Sequence, residues 1–180
     1  TTVGSLEGSS TITSDGAANR LLTIGTDNTS TSFSGIIQNG TRVISLTKSG
    51  SGTLTLSTPC TYTGATTISA GTIQLAAANI LPDITALTLT GTLDLNGFSE
   101  TIGSLAGAGT MMSTVAGAIL LTTGGNNAAT TTFSGLIQDG AGTLSLTKAG
   151  TGIMILSGLN SYTGATIVSA GTLTLGSAGN

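Results

Sequence analysis

One stretch of the chain recurs almost unchanged one hundred residues later. Residues 62–75 read YTGATTISAGTIQL, and residues 162–175 read YTGATIVSAGTLTL. When 33–75 is compared with 133–175, 24 of the 43 positions are identical. An internal repeat this strong restricts the fold more than any single motif, because repeated units usually stack into one elongated architecture.

The repeat extends to the rest of the chain. Residues 2–12 (TVGSLEGSSTI) match residues 101–111 (TIGSLAGAGTM) at an offset of 99. We therefore divide the chain into a first long repeat, residues 1–100, and a second, incomplete repeat, residues 101–180, of the same continuous unit. Because neither Thr1 nor Asn180 lies beside a recognisable polar cap, we expect a segment of a longer array.

The composition indicates an all-β protein. The 37 Thr, 21 Ser and 28 Gly make up close to half of the 180 residues, whereas 6% are charged. Typical globular domains carry roughly a quarter charged residues, and disordered chains combine high net charge with few apolar residues. Here 38% of the residues are hydrophobic. Threonine and other β-branched residues favour strands, and glycine favours turns.

A shorter period appears inside each long repeat. Gly-Thr followed by an alternating apolar pattern begins at Gly52, Gly71, Gly91, Gly109, Gly142 and Gly171. The alternation predicts short strands with one apolar face, and the change of phase at Gly71 predicts a corner there. Strands meeting at a corner about every 20 residues predict a β-solenoid of about nine rungs, with about five rungs per long repeat. A β-sandwich is the less favoured alternative, because it does not require the sequence to recur.

The phase of the alternation also predicts which side chains form the core. The residues expected to point inward are Leu54, Leu56, Ile68, Ile73, Leu75, Leu144, Leu146, Val168, Leu173 and Leu175. The residues expected to point outward are Thr53, Thr55, Thr72 and Thr174. A charge at an inward position, as in Leu173→Asp, is therefore expected to destabilise the fold.

Two segments resemble a known family. LTKSGSGTLTLS at 46–57 followed by YTGATTISAGTIQL, and LTKAGTGIMILSGLNSYTGATIVSAGTLTLG at 146–176, are similar to the autotransporter-associated β-strand repeat. The resemblance implies a right-handed parallel β-helix in an exported passenger region on a bacterial surface. The first copy departs from the family pattern at Thr58-Pro59-Cys60, where the second has Gly158-Leu159-Asn160.

The sequence offers little catalytic or metal-binding chemistry. Histidine is absent, which excludes Ser-His-Asp, Cys-His and His-based metal sites. We interpret the lone Cys60 as incidental, since no histidine could activate it. The carboxylates that could form a polysaccharide-cleaving cluster are Asp15, Asp27, Asp83, Asp94, Glu100 and Asp139, and they are scattered. Asp94 and Glu100 are near enough in sequence to form a pair, but we expect each to be solvated and outward. The only trace of a calcium-binding nonapeptide is Gly124-Gly125-Asn126-Asn127. We therefore predict no catalytic, cofactor or metal site.

Two residue types recur in register and invite a functional reading. Lys48 and Lys148 are equivalent, as are Tyr62 and Tyr162. We expect each lysine to stand in solvent near a corner, and each tyrosine to pack its ring with its hydroxyl in water. Threonine pairs such as Thr53/Thr55 suggest an ice-binding row, but equivalent positions hold Gln74, Asp94 and Met112.

These observations favour a structural role. The predicted function is a component of an extended bacterial surface fibre, stalk or adhesin; the alternatives are a carbohydrate-active β-helix enzyme and an ice-binding solenoid. The expected partners are further copies of the repeat, end to end and laterally, and a surface or carbohydrate ligand. With four basic residues and a net charge of −3, nucleic acid is not an expected partner. No apolar run reaches the ~18 residues of a membrane-spanning helix. The predicted location is extracellular or on the cell surface.

Overall fold

The computed structural model describes residues 1–176, and within that range every regular element is a β-strand. The strands are β1 (Thr2–Val3), β2 (Arg20–Ile24), β3 (Thr31–Phe33), β4 (Ile44–Lys48), β5 (Thr53–Leu56), β6 (Thr66–Ile68), β7 (Thr72–Leu75), β8 (Ala86–Leu89), β9 (Thr92–Asp94), β10 (Glu100–Ile102), β11 (Ser104–Gly107), β12 (Thr110–Ser113), β13 (Ala118–Thr123), β14 (Thr130–Phe133), β15 (Leu136–Gly140), β16 (Thr143–Lys148), β17 (Ile153–Leu156), β18 (Thr166–Val168) and β19 (Thr172–Leu175).

The strands pair in parallel and form three sheets along one solenoid. The nine-stranded sheet has the order β1-β2-β4-β6-β8-β11-β14-β17-β19, the six-stranded sheet β15-β12-β9-β7-β5-β3, and the four-stranded sheet β10-β13-β16-β18. Successive turns advance by about 21 residues, which gives about eight turns. At the ~4.8 Å spacing of paired strands, eight turns span roughly 38 Å. The predicted parallel β-solenoid is confirmed, with about eight turns where about nine rungs were predicted.

Glycine corners let the turns stack closely. The bend predicted at Gly71 is confirmed by its φ of 61°, a left-handed conformation that favours glycine. Gly50 has a φ of 67°, and a Cβ on it would lie 1.8 Å from the carbonyl oxygen of Gly25 in the preceding turn. No other residue type fits both constraints at Gly50.

The predicted core is confirmed in the middle of the solenoid. Each of the following inward positions is at most 1% exposed: Leu54, Leu56, Ile68, Ile73, Leu75, Leu144 and Leu146. The predicted outward residues Thr53, Thr55 and Thr72 are half-buried on the outer face, and Thr174 is exposed.

Burial was wrongly predicted for the last turn. Val168 and Leu175 are 50% and 59% exposed, and Leu173 is half-buried. The three nevertheless continue the interior rows, since Val168 pairs with Lys148 and Leu175 with Leu156, both of which are buried. They are uncovered because this is the last turn among the described residues. The expectation about Asn180 falls outside the described residues.

The two long repeats are rotated relative to one another around the solenoid axis. β4 lies in the nine-stranded sheet, whereas its equivalent β16 lies in the four-stranded sheet. Likewise β5 lies in the six-stranded sheet and its equivalent β17 in the nine-stranded sheet. One hundred residues therefore make about four and two-thirds turns of about 21 residues, not the five predicted. The cause is unequal turn length: Thr23 to Thr47 spans 24 residues, but Leu87 to Leu105 spans 18.

The described part of the chain contains no helix of the length and hydropathy needed to cross a membrane.

Candidate functional site

Lys48 lies inside the solenoid, which corrects the prediction of a solvated corner lysine. It ends β4 and is 1% exposed, between Ile24 and Ile68 in the interior row. Its Nζ donates hydrogen bonds to the carbonyl oxygens of Ser49, at 2.5 Å, and Gly50, at 2.9 Å. Gly50 has a left-handed conformation at this corner, and it directs the carbonyls of Ser49 and Gly50 toward the ammonium.

The second repeat builds the same corner. Lys148 is 2% exposed, and its Nζ donates to the carbonyls of Ala149, Gly150 and Ala170. Burial lowers the pKa of both lysines, although the charge of Asp27 acts to raise that of Lys48. Because its hydrogen-bond acceptors are backbone carbonyls, each ammonium acts as an internal cap for the corner. The lysines therefore do not form a surface row for a ligand.

Tyr62 also differs from its prediction, because its hydroxyl is buried rather than in water. Tyr62, Thr66 and Thr85 are each fully buried. Their oxygens are linked at 2.6 Å and 2.9 Å, and Thr85 donates to the carbonyl of Gly64 at 3.0 Å. Since Thr85 uses its proton on Gly64, Thr66 must donate to Thr85 and Tyr62 to Thr66. Burial raises the pKa of Tyr62 far above its ordinary value.

The equivalent pair in the second repeat is more open. Tyr162 is half-buried, and its hydroxyl lies 2.7 Å from that of Thr166, which is exposed. The recurring Tyr-x-x-x-Thr spacing in the sequence carries this hydrogen bond. Sequence reasoning missed the bond because Tyr162 lies in the connection before β18, where no strand or helix pattern defines the direction of a side chain.

Asp94 points outward, as predicted, but it is covered and not solvated. It is 3% exposed. One carboxylate oxygen accepts from the backbone N–H groups of Asn96 and Thr114, and the other from the Gln74 amide at 2.9 Å and the Thr114 hydroxyl at 2.7 Å. Burial acts to raise its pKa, but these hydrogen bonds hold it below the ordinary value. All of its acceptor capacity is used inside the protein.

Glu100 lies in the core, which corrects the prediction that it is solvated. It is 1% exposed, and its Oε2 accepts the backbone N–H of Ile80 at 2.9 Å. Burial raises its pKa to about 8, against the opposing effect of backbone N–H groups. Its other oxygen, Oε1, has no hydrogen-bond partner within residues 1–176. Glu100 and Asp94 thus have separate partners and do not form the carboxylate pair weighed from the sequence.

The remaining carboxylates cap nearby backbone. Asp139 accepts from the N–H of Leu144 at 2.8 Å and from the hydroxyl of Thr163 at 2.7 Å. Asp27 accepts from the N–H and hydroxyl of Thr29, and Asp15 from the N–H of Thr41. Asp83 is exposed. Among residues 1–176, no group of three or more acidic or cysteine side chains could hold a metal ion. Burial raises the pKa of the Cys60 thiol to about 11, which leaves it unreactive.

The outer surface carries threonine rows that the sequence only partly revealed. On the six-stranded sheet Thr53, Thr72, Thr92 and Thr110 are in register, but the adjacent row runs Thr55, Gln74, Asp94 and Met112. The nine-stranded sheet carries a longer row, Thr2, Thr23, Thr47, Thr67 and Thr88. That row could not be seen before the register was known, because its members come from dissimilar segments.

Comparison with known proteins identifies the repeats. The family model described as the passenger-associated-transport-repeat matches residues 46–75 and 146–175. The Adhesin BmaC autotransporter of Brucella suis biovar 1 (strain 1330) is 36% identical over 133 residues, which is 71% of this chain. The chain spans 4% of the length of that adhesin. No solved structure matches. The chain therefore carries two passenger-associated-transport-repeats.

Proposed function

We propose that this chain is a structural segment of an extended surface fibre or adhesin built from tandem repeats of about 100 residues, and that it is not an enzyme. The observation that carries the proposal is the continuity of the solenoid. The two matched segments, 46–75 and 146–175, lie in one stack of parallel turns. A solenoid of this kind lengthens by adding turns, since each turn contacts only its neighbours.

The side chains support a structural role over a catalytic one. The buried lysines, Tyr62 and Asp94 make their hydrogen bonds to groups within the protein. The outer rows of the nine-stranded and six-stranded sheets are rich in threonine, which suits close contact with a neutral surface because no desolvation of charge is needed. The similar protein is named an adhesin, which also supports a structural role at a surface. In this proposal the segment lies outside the cell, and its partners are further copies of the repeat and a surface ligand.

Lengthening of the chain tests the proposal. One further 100-residue period, residues 77–176, is appended after residue 176, and both proteins are measured by small-angle X-ray scattering. We expect the cross-section to stay constant and the long dimension to grow by about 22 Å, from four and two-thirds turns at ~4.8 Å each. Growth of the cross-section instead would refute a fibre that extends by added repeats. Protease accessibility of the repeats on intact bacterial cells tests the location separately.

A further inference from the structure

A carboxyl group interrupts the apolar core where the two long repeats meet. Glu100 begins β10, and its partner in the register, Leu121, is fully buried. Glu100 is itself 1% exposed, and its Oε1 is one of three buried side-chain oxygens in residues 1–176 that lack a hydrogen-bond partner. An ionised carboxylate in such a place costs free energy unless it is paired or neutralised by a proton.

The other oxygen of Glu100 holds a connection against the strand. The carbonyl of Ile80 accepts the N–H of Cys60 from the preceding turn at 2.9 Å. The N–H of Ile80, in turn, donates to a side chain, the Oε2 of Glu100. This carboxyl group therefore joins the connection 76–85, which links β7 to β8, to the start of β10.

The groups around the carboxyl provide no opposite charge. The preceding turn contributes Cys60 and Tyr62, and the connection 76–85 contributes Asp83, whose charge has the same sign. From the following turn, β13 contributes Leu121. Burial raises the pKa of Glu100 to about 8, although the N–H groups of Ile80, Leu81 and Thr101 act to lower it. The backbone N–H groups thus favour the ionised form too weakly to offset burial, and the carboxyl group is mostly protonated at neutral pH.

We propose that Glu100 is a proton-controlled latch between the connection 76–85 and β10. In the neutral form the carbonyl oxygen of the carboxyl group accepts the N–H of Ile80, and the contact is closed. When the proton passes to solvent, the carboxylate is drawn toward water and the contact opens. The inference concerns regulation of local order at the junction of the two repeats, and it does not depend on the fibre role.

Two measurements on the full chain test the latch. In the first, the side-chain carboxyl of Glu100 is followed by carbon NMR as a function of pH. In the second, hydrogen exchange of residues 79–84 is compared with that of residues 20–24 at pH 6 and pH 9, after correction for the intrinsic rate. The variants are Glu100→Gln, which keeps an acceptor but cannot ionise, and Glu7→Gln, which removes an exposed carboxylate.

We expect Glu100 to titrate well above the ordinary range of glutamate. In the wild-type chain and in Glu7→Gln, protection of 79–84 should fall at least about tenfold between pH 6 and pH 9, while that of 20–24 stays constant. In Glu100→Gln both segments should be insensitive to pH. If Glu100 in the wild-type chain titrates near pH 4, the latch is overturned, and this measurement needs no variant. An equal pH response in Glu100→Gln would overturn it as well.

Discussion

Replacing Thr66 with valine removes one oxygen from the buried Tyr62–Thr66–Thr85 network at constant side-chain shape. Tyr62 then holds a buried hydroxyl proton without an acceptor, which costs about 1–3 kcal/mol. Thr85 keeps its own bond to Gly64, but loss of the hydrogen bond from Thr66 to Thr85 costs about 1 kcal/mol more. The added methyl group returns about 0.8 kcal/mol through apolar burial. We therefore expect Thr66→Val to lower the free energy of unfolding by about 2 kcal/mol.

The second repeat supplies the matched control. Thr166→Val removes the equivalent hydroxyl, but Thr166 is exposed, so water can replace it as the acceptor for Tyr162. We expect that variant to change the free energy of unfolding by less than about 0.5 kcal/mol.

Urea denaturation measures both variants. With a slope of about 2 kcal/mol per molar urea, the midpoint for Thr66→Val should fall by roughly 1 M and that for Thr166→Val should not move. Equal shifts in the two variants would refute the reasoning, because the sequence change is the same and only the buried network differs. No shift in Thr66→Val would show that the Tyr62 hydroxyl finds another acceptor.

Substitutions at three further residues test the polar groups of the core and corners. Glu100 has a folded pKa of about 8, above its unfolded value, so its penalty is absent in acid and grows as the pH rises toward 8. Glu100→Gln should therefore gain stability relative to wild type by up to about 5 kcal/mol at pH 9 and by little at pH 4.5, measured by urea denaturation with Glu7→Gln as the control. Lys48→Met should lower the melting temperature and destabilise the fold by about 2 kcal/mol. Two corner carbonyls lose a charged donor, and this loss exceeds the gain from no longer burying a charge. An unchanged melting temperature would contradict the capping role. The Oδ1 of Asn39 accepts the N–H of Ile44 at 2.9 Å, as Asp139 accepts that of Leu144. In urea denaturation, Asn39→Asp should therefore leave the free energy of unfolding within about 0.5 kcal/mol of wild type, whereas Asn39→Ala should be clearly destabilised.

The fold could be predicted because its signals are local and repeated. Alternation in segments such as 53–56 and 72–75 defines which face is apolar, and the glycine at position 71 marks the corner between two strands. The rotation between repeats could not be predicted in this way. The rotation depends on the summed length of all turns. The connections between strands have no sequence pattern, and a few residues there decide whether one hundred residues make five turns or a third of a turn less.

The burial of the polar residues could be predicted less well, because residue type is a poor guide to exposure in this chain. Lysine and glutamate are rarely buried, so Lys48 and Glu100 were both expected in solvent. For Lys48 the strand pattern contained the correct signal, since Leu46 and Lys48 share a phase and Leu46 was an obvious core residue by its neighbours. For Tyr62, only the tertiary position of Thr85, one turn further on, explains why the hydroxyl can be buried.

These buried polar groups have a common consequence for the register of the solenoid. Rows of stacked leucine and isoleucine tolerate a change in the pairing register between neighbouring turns, because one apolar side chain replaces another at little cost. Since the turns here vary from 18 residues, Leu87 to Leu105, to 26 residues, Gly107 to Phe133, apolar rows alone do not define where each corner falls. Lys148, in contrast, reaches the carbonyl of Ala170 in the next turn only in this register, and Thr66 meets the hydroxyl of Thr85 in the same way. A shifted register would take these partners from a buried ammonium and a buried hydroxyl, which costs free energy. The polar groups therefore select one register among several apolar alternatives, and the unequal turns that rotate the repeats are held in place by them.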